Sequence, residues 1–241
     1  MELHHNCAVG GTMYAVYRKW GVPKLFRMAD RGEWDAIPER ARKYPKEASF
    51  IHKYAPQDGP LHRLLRPLHV PCPISFSYEE DPFYKNSTDI LTEEEVIELE
   101  EKKKLMNDPV VAELLLDALA AIVEANPVAA SKPNTFGRTP LHLACMELTG
   151  PRAQAASYLI RHTPMTTIAI DCGGSTPLHF LLGNPINDIP EALISQYLKA
   201  DPSALERHNR CGLTPLDVFV KSAANEDDAR ERRELLKKLA T

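Results

Sequence analysis

The sequence lacks the features that would assign it to several large classes of protein. Its five cysteines are scattered without a C-x-x-C pair, which argues against a disulfide framework or a closed zinc site and favours a reducing compartment. Twenty-nine basic residues against 33 acidic ones give a formal charge of -4, which provides no field that would draw the chain onto nucleic acid or an anionic membrane. The apolar stretches at 7–17 and 110–123 are interrupted and too short to cross a bilayer. We therefore expect a folded, soluble intracellular protein, in the cytoplasm rather than the nucleus.

Motifs of known catalytic chemistry are also missing. The sequence has no phosphate-binding loop, no G-x-S-x-G elbow and no H-E-x-x-H pair. His4, His5 and Cys7 offer soft metal ligands at close spacing, but a complete site would need a fourth ligand and a fixed backbone, so a mobile terminus is the preferred interpretation. The sequence predicts no catalytic residue, no metal and no cofactor.

What the sequence does contain is an internal repeat. The stretches GRTPLH at 137–142, GSTPLH at 174–179 and GLTPLD at 212–217 align without gaps at a nearly constant interval, and a shorter echo, GPLH, lies at 59–62. A second proline precedes each of the three Thr-Pro motifs at one constant spacing, as Pro127, Pro164 and Pro202. Self-similarity at a fixed period is the sequence signature of a repeat architecture.

Each repeat is predicted to form a pair of helices. The threonine can cap a helix and the proline fits its first position, where the missing N–H costs nothing. An amphipathic segment such as 155–161 or 191–200 follows as a second helix, and then a proline ends it. Turn formers such as Asn134 and Asn209 precede the next motif, so a projecting loop is expected between units. The predicted fold class is all-α. The motif positions are Pro60, Leu61, His62, Thr139, Pro140, Leu141, His142, Thr176, Pro177, Leu178, His179, Thr214, Pro215 and Leu216.

The motif resembles that of the ankyrin repeat family, whose helix pairs begin with T-P-L-H-x-A. Ala144 completes this pattern after His142, whereas Leu181 and Phe219 replace the small residue in the next two units. The resemblance implies an ankyrin-type α-solenoid, a stack of helix-turn-helix units. The repeats of this chain are longer than the usual ankyrin unit of about 33 residues, so we expect longer turns between the helices of a pair.

The resemblance also divides the chain. It implies a segment at 1–21 that is helical or disordered, a capping unit at 22–57, a unit at 58–134, repeats at 135–171 and 172–209, and a C-terminal capping unit at 210–241. The second unit carries an insertion at about 67–107, in which residues 66–84 are rich in proline and aromatic residues and residues 92–105 form a predicted helix. Such long excursions are either functional or disordered, and the sequence leaves both open.

Two groups of residues have a structural interpretation. His62, His142 and His179 occupy equivalent places without a recurring carboxylate or cysteine, so we expect them to bond the start of their own helix and the neighbouring loop. The last segment, 229–239, is predicted to be a capping helix with leucines on one side. Its basic residues Arg230, Arg232, Arg233, Lys237 and Lys238 are placed on the other side.

The resemblance implies a non-catalytic scaffold that binds a protein of unknown identity, as a monomer, through the concave face formed by the loops and the first helices. Two alternatives are a targeting module that binds through the 66–84 insertion and, more weakly, an enzyme with an unrecognised site. Phe136, Arg138 and Arg210 are the leading contact candidates, because exposed aromatic and arginine side chains dominate interfaces. The full candidate set is Thr135, Phe136, Arg138, Met146, Glu147, Cys172, Ser175, Asn184, Arg210 and Leu213.

Overall fold

The computed structural model of the chain describes residues 22–52, 58–66, 104, 106–148, 150–185, 189–223 and 226–239. Every regular element in these residues is helical, and none is a strand, which confirms the predicted all-α class. The predictions for 1–21 and for most of the 67–107 insertion lie outside the described residues. No helix of the described part is both long and apolar enough to cross a membrane.

Ten α-helices are described, and they follow one another in pairs. In chain order they are α1 (Lys24–Arg31), α2 (Ile37–Lys43), α3 (Pro60–Leu64), α4 (Pro109–Ala125), α5 (Pro140–Met146), α6 (Arg152–His162), α7 (Pro177–Leu182), α8 (Glu191–Ala200), α9 (Pro215–Lys221) and α10 (Glu226–Leu239). The odd-numbered helix opens each pair and the even-numbered helix completes it.

The pairs stack in two layers. The first helices pack in succession, from α1 through α3, α5 and α7 to α9, and the second helices α2, α4, α6 and α8 do the same. One apolar core runs through the stack from Leu25 to Leu235. Because each pair buries its apolar side against the next pair, the stability of one unit depends on its neighbours.

Local sequence signals set several of the helix ends. Asp108 begins α4, because its Oδ1 accepts a hydrogen bond from the backbone N–H of Val110 at 2.8 Å. Gly32 ends α1 with φ 73°, in the left-handed region that favours glycine, and its N–H bonds the carbonyl of Met28. The second helix of the first unit is α2, with a proline at its second position.

The second set of prolines does more than end a helix. Pro127 and Pro164, together with Pro45 of the first unit, each begin a 3₁₀ turn, at Pro45–Ser49, Pro127–Ser131 and Pro164–Ile168, whereas the 3₁₀ turn after Pro202 begins at Ala204. The fixed φ of proline suits the first position of such a turn, where its missing N–H has no intraturn partner. The sequence analysis predicted only a stop at these positions, and it therefore missed three short elements that join each second helix to the following loop.

The face of α10 predicted for Arg232 is wrong. Arg232 was assigned to the polar face, but it is buried. Its Nη1 donates to the carbonyl oxygen of Phe219 at 3.1 Å and to Oγ of Ser222 at 2.8 Å, and its guanidinium lies 4.8 Å from the Phe219 ring centroid. These acceptors lie at the C-terminal end of α9, where carbonyl groups lack helical partners, and this accounts for the burial of the arginine.

Candidate functional site

Each projecting loop is closed by one Asx side chain. Oδ1 of Asn134 accepts hydrogen bonds from the backbone N–H groups of Phe136, at 3.0 Å, and Arg138, at 3.1 Å. Asp171 and Asn209 accept the equivalent pair of bonds at distances of 2.8 to 3.0 Å. The sequence analysis singled out the two asparagines as turn formers but missed Asp171, although its equivalent place in the repeat carried the signal.

The loops at 134–138, 171–175 and 209–213 bond one another, and we call them together the loop ladder. The N–H of Cys172 donates to the carbonyl oxygen of Phe136 at 2.8 Å, and the N–H of Arg210 donates to that of Gly173 at 2.8 Å. Backbone bonds between units hold the loop tips at fixed spacing. The backbone that carries the side chains at the loop tips is therefore held in place by hydrogen bonds.

Glycine is required in this ladder for two separable reasons. Gly137 and Gly212 both have a positive φ, 74° and 72°, which disfavours any other L residue. A Cβ on Gly137 would also lie 3.0 Å from Cα of Asp171 and from the backbone N of Cys172, whereas a Cβ on Gly212 would meet nothing within 4 Å.

We expect Gly137→Ala to lower the free energy of unfolding by more than Gly212→Ala. The control change should cost about 1 kcal/mol through backbone strain alone. Gly137→Ala adds the displacement of the next loop, for a total of about 2 to 4 kcal/mol. Urea unfolding of both variants measures the difference. Equal losses would show that the approach of neighbouring loops contributes nothing to stability.

His142 is fully buried at the third position of α5. Its Nδ1 accepts a hydrogen bond from the backbone N–H of Thr139 at 3.1 Å, so the ring proton is on Nε2. Nε2–H donates to the carbonyl oxygen of Ser175, in the next loop, at 3.1 Å. Burial lowers the pKa of His142 to about 3, so the ring is neutral near pH 7.

His62 and His179 repeat this arrangement. In both, Nδ1 accepts the backbone N–H that precedes its helix, at 3.0 Å. Nε2–H of His62 donates to the carbonyl oxygen of Arg138 at 3.0 Å, and that of His179 donates to the carbonyl oxygen of Leu213 at 3.1 Å. Burial lowers the pKa of both histidines. The predicted bonds to the helix start and to the neighbouring loop are present in all three, and they occupy both nitrogens of each ring.

Asp217 occupies the histidine position of the last repeat. Its Oδ2 accepts the backbone N–H and the hydroxyl of Thr214, both at 2.8 Å, and these bonds lower its pKa. A carboxylate has no proton to donate to a following loop. Correspondingly, Leu216 is 37% exposed, whereas the equivalent Leu141 and Leu178 are fully buried. The described stack ends at this unit.

Arg138, predicted as an exposed contact residue, is 5% exposed and is corrected here to a structural role. Its Nε lies 3.5 Å from Oδ2 of Asp171, and its guanidinium is 5.5 Å from the ring centroids of both Phe136 and Phe180. The arginine thus joins two loops. The sequence pattern could not show this, because the carboxylate and one of the rings belong to the next unit.

Three further candidates are buried and bonded inside the chain, and are corrected in the same way. Nη1 of Arg152 donates to Oε2 of Glu147 at 2.8 Å. Nδ2 of Asn184 donates to the carbonyl oxygen of Cys145 at 2.8 Å. The Ser175 backbone bonds the Asx side chain of its own loop and His142 of the previous unit. Their burial leaves little area for a partner.

The remaining candidates lie at or near the surface. Thr135, Cys172 and Arg210 are exposed at the tips of three successive loops. Phe136 and Leu213 are half-buried in the same loops, and Met146 is half-buried at the C-terminal end of α5. Since the loops are hydrogen-bonded in a row, the exposed side chains at their tips form one continuous strip, which we call the tip strip. The residue types in this strip differ from one repeat to the next. This strip is the candidate site.

Comparison with known proteins found neither a matching family model nor a significant match among curated proteins. In the described part of the chain, no three His, Cys, Asp or Glu side chains gather in a way that could hold a metal ion.

Proposed function

We propose that the chain is an ankyrin-type α-solenoid that binds another protein, without catalysis, through the concave face formed by the loop ladder and the first helices. The observation that carries this proposal is that repeated and variable residues occupy different environments within each loop. The repeated Asx, glycine and histidine residues are bonded inside the stack or shape its loops, whereas the exposed tip position, Thr135, Cys172 and Arg210, differs from repeat to repeat.

The stack supports the solenoid part of the proposal. Successive first helices and successive second helices contact one another. His62, His142 and His179 each cross from a helix to the loop of the following unit. A structure in which each unit contacts its sequence neighbours is typical of repeat proteins, which use extended surfaces to bind partners.

The loop tips support the binding part. Thr135, Cys172 and Arg210 share neither size nor charge, although they occupy one row. Arg210 is our leading contact, because an exposed arginine can form charge-assisted bonds and cover a large area. Phe136 contributes the accessible part of an aromatic ring whose position is fixed beside Arg138.

Capture of partner proteins on the immobilised full-length chain tests the proposal. We expect Arg210→Glu and Thr135→Arg each to weaken retention of a specific partner about tenfold or more, because both change the tip strip without touching the core. Arg230→Glu is the matched control, since it reverses an equally exposed arginine on α10. Equal retention by the three variants would contradict binding through the tips.

A deletion of residues 67–103 separates this proposal from its first rival. Binding that survives both tip variants and disappears with the deletion would assign the contact to the insertion. Reproducible turnover in a broad screen of hydrolase and transferase substrates would favour the enzyme alternative. Circular dichroism of each variant confirms that it retains the helical fold.

A further inference from the structure

Exposed apolar side chains are concentrated along one edge of the stack. Seven large apolar side chains are exposed in the described residues, and five of them lie at or beside the 3₁₀ turns that follow α2, α4 and α6. These five are Tyr44, Val128, Met165, Ile168 and Ile170. We call this surface the turn edge. Exposed single apolar residues are common, but a cluster on one side marks an interaction surface.

The turn edge is continuous from unit to unit. The turn Pro127–Ser131 contacts both Pro45–Ser49 and Pro164–Ile168, so the three lie side by side. Val128 and Met165 occupy the same position in consecutive turns and are 61% and 72% exposed. Their side chains are therefore exposed next to each other on this edge.

Exposed basic residues lie at or just before the first and third of these turns. Lys46 lies in the first turn, Arg42 and Lys43 lie just before it, and Arg161 lies just before the third, all exposed. Glu124 is the one exposed acidic residue at the helix ends and turns that make up this described edge. Glu47 is half-buried in an ion pair with Arg40. The formal charge of -4 for the whole chain hides this local excess of basic residues.

The helix dipole accounts for part of the charge but not for the rest of the pattern. Arg42, Lys43 and Arg161 lie in the last turns of α2 and α6, where a cation is favourable. Lys46 lies beyond the helix, and the dipole gives no reason to expose Val128 or Met165 to water. The coincidence of basic and exposed apolar side chains matches a ligand that is both apolar and anionic.

We propose that the turn edge is a peripheral contact site for an anionic lipid surface. Protruding valine, methionine and isoleucine side chains can enter the headgroup region of a membrane, while lysine and arginine beside them attract its anionic lipids. Tyr44, whose ring lies 3.8 Å from the Arg40 guanidinium carbon, has the apolar body and polar tip found at membrane interfaces.

The same features fit a protein partner less well. Protein hot spots are typically Trp, Tyr or Arg side chains that enter pockets, and lysine is depleted at protein interfaces. The turn edge carries Tyr44 and two exposed arginines, but four of its five exposed apolar side chains are not aromatic, and Lys43 and Lys46 lie beside them. A lipid surface accepts protruding side chains without preformed pockets.

Co-sedimentation of the full-length chain with vesicles tests the proposal. We expect binding to vesicles of phosphatidylcholine mixed with phosphatidylserine, weaker binding at raised salt, and little binding to phosphatidylcholine alone. Met165→Glu and Lys46→Glu should each weaken binding about tenfold. Both positions are exposed, so neither change disturbs the core.

The chain provides matched controls at the other end of α4. Val110 is 64% exposed, and Lys104 is also exposed. The 17 residues of α4 place Val110 about 25 Å from the turn edge. Val110→Glu and Lys104→Glu should therefore leave vesicle binding unchanged, and so should Arg210→Glu in the loop ladder, which separates this proposal from the proposed function.

Three results would overturn the proposal. The first is a failure of the wild-type chain to sediment with phosphatidylserine vesicles at low salt. The second is an equal loss of binding in the edge variants and in the Val110→Glu and Lys104→Glu controls. The third is edge-dependent binding to an amphipathic glutamate-leucine helical peptide without binding to vesicles, which would assign the edge to an acidic protein partner.

Discussion

Replacing Glu147 by glutamine is expected to lower the free energy of unfolding by about 3 to 5 kcal/mol, because the change removes a negative charge that pairs with a buried arginine. Oε2 of Glu147 and Nη1 of Arg152 are 2.8 Å apart, and their side chains are 6% and 1% exposed. Arg152 also donates from Nη2 to the carbonyl oxygen of Arg66, so the pair joins the third unit to the second. Urea unfolding monitored by circular dichroism measures the loss.

Glu33→Gln makes the same chemical change at a surface pair. Glu33 lies 3.5 Å from Nη1 of Arg31, and both side chains are more than one-third exposed. We expect a loss of about 0 to 1 kcal/mol there. The double change Glu147→Leu with Arg152→Met should recover most of the stability, since it removes both charges together. If Glu147→Gln lowers the free energy of unfolding no more than Glu33→Gln does, the stabilising role of the buried ion pair is contradicted.

Acidification from about pH 7.5 to about pH 5 is expected to lower the free energy of unfolding by about 2 kcal/mol through His142 alone. The pKa of this histidine is about 3 in the folded chain, against about 6.5 when unfolded. As pH falls below the unfolded value, the unfolded chain takes up a proton that the folded chain does not, so stability decreases. His62 and His179, whose pKa values are also lowered, add to the loss.

His142→Gln isolates this effect. Glutamine does not titrate, so the variant should be less stable than the wild type near pH 7.5 but should lose less on acidification. The comparison is needed because burial raises the pKa of Asp171, which favours the folded chain as pH falls and opposes the histidine effect. An unchanged pH slope in His142→Gln would show that His142 does not titrate as a buried neutral group.

Signals contained within a few residues predicted much of the fold. The Thr-Pro pairs marked the starts of α5, α7 and α9. These signals act through capping and through the fixed φ of proline, which depend on adjacent residues alone. The hydrogen bonds of the three histidines were also predicted from the repeat. A histidine that recurs without a carboxylate or cysteine at a fixed spacing is expected to stabilise the fold.

The candidate site was predicted less well, because burial depends on residues remote in sequence. Arg138 pairs with the carboxylate of Asp171, in the following unit, and Asn184 bonds the carbonyl oxygen of Cys145, in the preceding one. Glu147 lies in a turn, which favours exposure, but Arg152 completes an ion pair with it. A single sequence shows which residues occupy the loops, whereas the packing of the next unit decides which of them reach the surface.

The ring-nitrogen NMR spectra of His62, His142 and His179 test the central claim most directly, namely that the repeated motif joins the units and performs no chemistry. Nitrogen shifts recorded from about pH 7.5 to about pH 5 report both the tautomer and the protonation state of each ring. We predict a neutral ring with its proton on Nε2 in all three, and for His142 no titration over this range. A proton on Nδ1, or titration of His142 near about 6.5 as in an unstructured peptide, would contradict the claim.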